Sequence, residues 1–275
     1  MNTAERVEAA ILMVGILTLF AGAFRISITR QWKAAMDLPP VKRLSLQPTD
    51  IGIVICLFVL MGQFLFSVYA SMTGSQVSTS QSIDGGTEIS ESVTAVLGLA
   101  AQVMNIALVL VIVGVRLGRD FSAWGLTLER FGSRVLQAVL IYLASWPVCA
   151  GLFHLTKIIM ELSGIPYVKE HSAILLLESG QGPTWLAAVT IVSAVILAPI
   201  LEEFVFRGLI FRFLSETWPS TWAAMAASAT LFGLIHFSVP QTIPSLVMFG
   251  MVLAFTYVKS RSLKTVILIF LGAKS

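Results

Sequence analysis

The feature that most limits what this chain can fold into is the recurrence of apolar runs of about 17 to 25 residues. Each is long enough to cross about 30 Å of hydrocarbon. They fall at Ala9–Phe24, Ile51–Met72, Ala95–Val115, Val135–Leu155, Thr184–Leu214, Thr221–Phe237 and Ile243–Val258. A shorter run, Thr265–Ala273, follows, and the chain stops there as though inside a helix. Charged residues make up 12% and hydrophobic ones 56%, against about 25% charged in a soluble domain. The chain is expected to be all-α: a polytopic membrane bundle of about eight transmembrane helices. Residues 1–183 supply the amino-terminal helices and loops, and 184–275 form a core cut short at its last helix.

Lys and Arg fix an expected orientation. Arg25, Arg30, Lys33, Lys42 and Arg43 follow the first span; Arg116, Arg119, Arg130 and Arg134 follow the third; Lys259, Arg261 and Lys264 follow the seventh. All lie on one side, which the positive-inside rule makes cytoplasmic. The +3 net charge is thereby a matter of topology, and no nucleic-acid partner is expected. Ala21-Gly22-Ala23 imitates a signal-peptide cleavage site, but Glu5, Arg6 and Glu8 replace the usual positive leader. The acidic 73–93 segment and the 156–183 segment are external loops on this topology, the second with a short surface-lying helix. Cys56 and Cys149 sit in apolar runs and offer neither a disulfide framework nor zinc spacing.

The chemistry lies inside the fifth span, whose only charges are Glu202, Glu203, Arg207 and Arg212. A charge near the bilayer centre costs about 2.5–3.5 kcal/mol on insertion scales, so such groups face protein or a water-filled cavity. Glu203 and Arg207, four apart, share a helix face in the favourable order for an ion pair. Glu202 points elsewhere and needs another partner. Trp218-Pro219 marks the turn into the next helix, with Glu202 sixteen residues before Trp218 and His236 seventeen after Pro219. At about 1.5 Å per residue the two reach a similar depth. A carboxylate taken out of water accepts a proton more readily, and an imidazole can orient a water or hold a metal that carries it. Hydrolysis within the membrane is the reaction class this suits. The plainer reading makes Glu203-Arg207 helix glue and His236 a satisfied core residue.

Other intramembrane chemistries fit less well. Asp37, Asp50, Asp84 and Asp120 all fall in predicted loops, no Gly-x-Ser lies within a span, and there is no His-Glu-x-x-His helix.

Ala198-Pro199-Ile200-Leu201-Glu202-Glu203-Phe204-Val205-Phe206-Arg207-Gly208 and Ser228-Ala229-Thr230-Leu231-Phe232-Gly233-Leu234-Ile235-His236 resemble the first two motifs of the CPBP (CAAX protease and bacteriocin-processing, Abi) family of intramembrane proteases, which includes the type II prenyl-protein endopeptidases. The resemblance implies a bacterial inner-membrane, multi-pass endopeptidase acting on a membrane-associated peptide or protein. Glu202 and His236 would be catalytic, Glu203 and Arg207 their structural support, and His236 a ligand if a divalent ion such as zinc takes part. The family's third motif, Ser-Leu-Trp-x-x-Ile-x-x-His-x-x-x-Asn, opens correctly at Ser262-Leu263 and then departs: Phe270 stands at the histidine and Lys274 at the asparagine. His154 is a conceivable substitute ligand. Two alternatives follow: a catalytically dead relative that binds a membrane peptide, and a transporter with an intramembrane Glu/His site. The second is disfavoured because paired repeats are missing.

Overall fold

The computed structural model describes residues 21–22, 46–73, 91–117, 131–166 and 184–274. All regular structure among them is helical. The first predicted span lies outside these residues apart from Ala21 and Gly22, which are helical. Nearly all of the 73–93 loop, and the 156–183 loop beyond residue 166 with its surface helix, also lie outside them.

Seven helices account for the remaining spans. They are α1 (Pro48–Thr73), α2 (Glu91–Leu117), α3 (Phe131–Leu162), α4 (Thr184–Thr217), α5 (Thr221–Leu234), α6 (Ile243–Ser260) and α7 (Leu263–Lys274). A 3-10 turn, Pro240–Thr242, leads into α6. Among the described residues four segments, Val93–Ile112, Val135–Leu162, Thr184–Thr217 and Pro240–Ser260, are long and apolar enough to cross a membrane. The protein is an integral membrane protein.

The core gathers around α4 to α7, where Leu209, Phe211, Met225, Phe232, Leu253, Leu263, Ile269 and Phe270 are almost wholly buried. Lipid tails are as apolar as leucine, so burial of apolar surface does little to drive helices together, and close approach through small residues does more. The crossing of α5 and α6 shows this. A Cβ at Gly233 would collide with Val247 Cγ2 and lie 3.1 Å from the Ile243 carbonyl oxygen. One at Gly250 would lie 3.1 Å from both Cα and Cβ of Ala229. Polar side chains add isolated ties: Ser228 Oγ donates to the Phe206 carbonyl across α4 and α5 at 3.1 Å, and Ser193 Oγ donates to Gln102 Oε1 across α4 and α2 at 2.9 Å.

Candidate active site

Helix α4 is regular α-helix only in pieces. Thr184–Ile191, Ala198–Glu203 and Phe211–Thr217 are α-helical, while Val192–Leu197 and Phe204–Ile210 are π-helical. The first widening has a covalent cause. Pro199 has no N–H to give to Val195, and its ring crowds that carbonyl, so the turn before it opens. The Ala198 N–H accordingly bonds to the Ser193 carbonyl, five residues back. The second widening contains Gly208, a poor helix former. There the Phe211 N–H bonds to the Phe206 carbonyl, again five back, and that oxygen also takes the Ser228 hydroxyl. Glu202 and Glu203 therefore sit on a short α-helical island between two π segments, an irregularity that recurs at functional sites.

Both acids and the arginine are inside the protein: Glu202 is 9% exposed, Glu203 0% and Arg207 1%. Arg207 Nη1 donates to Glu203 Oε1 at 2.6 Å, as the four-residue spacing predicts. Its other amino group, Nη2, donates to the Gly250 carbonyl of α6 at 3.2 Å. The guanidinium also lies over the Phe232 ring, with Cζ 4.7 Å from the centroid. Three helices thus hold one cation. Glu202 interacts electrostatically with both Glu203 and Arg207.

Phe232, the phenylalanine of the Phe-x-x-x-His spacing that ends at His236, is a packing hub, a role the sequence did not reveal. Its ring meets Phe206, His236 and Phe270 edge to face, at centroid distances of 5.3, 5.4 and 5.6 Å. Its backbone oxygen accepts from His236 Nδ1 at 2.9 Å. A carbonyl can only accept, so the proton of a neutral imidazole sits on Nδ1 and the Nε2 lone pair is left for another partner. Helix α5 ends at Leu234, earlier than the predicted Phe237. His236 accordingly lies in the turn just beyond, partly exposed, at the mouth of the cluster and not along a helix wall.

The structure thus links Glu203, Arg207, Phe232, His236 and Phe270 through direct contacts, and joins Glu202 to them through its neighbour Glu203. Phe270 is 2% exposed and packs edge to face on Phe249 at 5.6 Å as well as on Phe232. Lys274 closes α7. His154 is exposed on α3, where it meets its neighbour Phe153 edge to face.

Residues 183–273 match the family model described as Type II CAAX prenyl endopeptidase Rce1-like. About a third of the chain is thus similar to CAAX-type intramembrane proteases. No curated protein and no solved structure matches the chain significantly. The match spans the α4 cluster, His236 and Phe270 alike, so the matched segment carries both what agrees with a hydrolytic site and what departs from it.

A metal site needs three or more convergent donors. Among the described residues no group of three His, Cys, Asp or Glu side chains could hold a metal ion, and Phe270, walled in by Phe232 and Phe249, presents only carbon. The donors on hand do not fit a zinc centre. What they offer is carboxylate and imidazole chemistry beside a neutralised ion pair.

Proposed function

We propose that this protein is a membrane-embedded endopeptidase of the CAAX type, with Glu202 and His236 acting on a water molecule. The observation that carries the reading is the buried Glu202 held beside a Glu203–Arg207 ion pair that three helices fix in place. Arg207 neutralises Glu203 and is anchored to Gly250, and Glu202, buried beside that pair, is the acid this reading assigns to chemistry. In the proposed step Glu202 takes a proton from water while His236 Nε2 orients it, and the resulting hydroxide adds to the peptide carbonyl. Glu202 then returns the proton to the departing amine, which breaks the C–N bond. The substrate is a membrane-associated peptide or protein, and a bacterial inner membrane is the proposed setting.

One observation favours a second reading. Phe270 fills the position at which the resemblance places a histidine, and its ring can neither donate to an oxyanion nor hold a water. A site with this wall binds a peptide and does not turn it over. One experiment separates the two: cleavage of a prenylated peptide by the purified full chain in lipid nanodiscs, beside Glu202→Gln, His236→Ala and Phe270→His. Removing a general base costs about 10²–10⁴-fold, so the endopeptidase reading expects wild-type cleavage and a loss of that size in Glu202→Gln. Wild-type cleavage that survives both Glu202→Gln and His236→Ala overturns the site. A silent wild type that still binds the peptide, with turnover appearing in Phe270→His, establishes the second reading.

A further inference from the structure

The turn between α6 and α7 has no part in the chemistry above, yet it concentrates charge. Residues 259–264 read Lys-Ser-Arg-Ser-Leu-Lys, and no Asp or Glu occurs anywhere after Glu216. Glu216 lies at the end of α4, on the same side of the bundle. Arg261 is exposed. It stands at the helix C-cap in the left-handed region, φ 51° and ψ 32°, the only non-glycine residue with positive φ among the described residues. Glycine is the usual occupant there because a Cβ is strained. A long cation holds the place instead.

The depth of this turn in a membrane can be read from its neighbours. Trp222, on the first turn of α5, packs against Phe255 of α6 with centroids 5.9 Å apart. The Lys259 ammonium lies over that same Phe255 ring at 5.9 Å. Trp218 and Trp222 are 44% and 38% exposed. Part-exposed tryptophans at helix ends mark the headgroup level of a bilayer. The three cations therefore stand at the height of lipid phosphates, on the side where the chain's basic loops collect.

We infer that the Lys259–Lys264 turn is a binding site for the phosphate of an anionic lipid headgroup. Arg261 supplies the forked contact that matches phosphate geometry, and Lys259 and Lys264 supply point charges on either flank. The site lies apart from Glu202 and His236 and does not depend on whether they cleave anything.

The test uses the purified full chain equilibrated with mixed phosphatidylglycerol and phosphatidylcholine vesicles, with retained lipid counted by mass spectrometry. Wild type enriches phosphatidylglycerol. Each juxtamembrane cation contributes about 1 kcal/mol toward an anionic surface, so Arg261→Gly lowers that enrichment about fivefold and Lys264→Gln lowers it about fivefold again. Arg261→Gly also relieves the left-handed strain, so its thermal midpoint holds or rises. A loss of lipid therefore cannot be blamed on unfolding. Equal enrichment in wild type and Arg261→Gly overturns the proposal. Displacement of phosphatidylglycerol by millimolar inorganic phosphate alone overturns the lipid as the source of the phosphate.

Discussion

Helices α3 and α6 are both apolar spans, yet they live in different surroundings. Of the apolar window in Val135–Leu162, 11% is buried within the protein, against 44% in Pro240–Ser260. Leu136, Val139, Leu140, Leu155, Ile158 and Ile159 of α3 face outward, whereas Gly250, Leu253, Ala254 and Tyr257 of α6 are enclosed. The difference is in what holds each helix in place. Around α6 the ties are an arginine bonded to a backbone carbonyl, a glycine crossing and an edge-to-face aromatic chain. Along α3 much of the surface faces outward, and in a bilayer lipid would replace one apolar neighbour by another. Sensitivity to substitution should follow this division far more closely than it follows hydrophobicity.

The largest effect is expected at Arg207. Arg207→Met leaves Glu203 buried with its charge uncompensated, and breaking a buried pair in this way costs about 3–5 kcal/mol. Unfolding of the purified protein in detergent should show that loss, and the double variant Arg207→Met, Glu203→Gln should recover part of it. A cost no larger than that of an α3 surface substitution would erase the distinction between the two regions.

Gly233 comes next. Gly233→Val places methyl groups where Val247 and the Ile243 carbonyl already stand, and overpacking of this sort costs about 1–3 kcal/mol. The same unfolding measurement checks it, with Gly151→Val on α3 as the partner variant. A Cβ at Gly151 meets nothing within 4 Å, so that change should cost less. If the two cost the same, the α5–α6 crossing is looser than its geometry indicates.

How much of this could be seen in the chain itself follows from the same physics. The spans were legible because about twenty apolar residues in a row have few other uses in a protein. The Glu203–Arg207 pair was legible because a four-residue spacing is local. The packing at Phe232 was not: its place four residues before His236 in the second motif singles it out, but in a helix apolar on every side periodicity cannot mark the inward face or the rings it meets. The Arg207–Gly250 bond spans forty-three positions and follows only from the crossing of α4 and α6. The two π turns of α4 were not read from the sequence, although a proline such as Pro199 removes a helical hydrogen bond wherever it falls inside a span. His236 was found by type and depth, while its place beyond the end of α5 depends on where Leu234 stops the helix. Phe270 was noticed as a departure from a motif. Its burial between Phe232 and Phe249 explains why that departure is compatible with folding, since an aromatic ring completes an aromatic wall.

The smallest effect is expected on the lipid-facing side, and Phe64 sharpens the comparison best. It is 60% exposed near the middle of α1. In water, trimming such a side chain would change the apolar area shielded on folding; in a bilayer the folded and unfolded-but-inserted states both leave it among acyl chains, so the transfer free energy largely cancels. Phe64→Leu should therefore shift stability by less than about 0.5 kcal/mol, measured by unfolding in detergent and again in nanodiscs. A loss above about 1 kcal/mol in nanodiscs alone would mean that this face of α1 is covered by protein in the membrane. The boundary between lipid-facing and protein-facing helices would then have to be redrawn around α1.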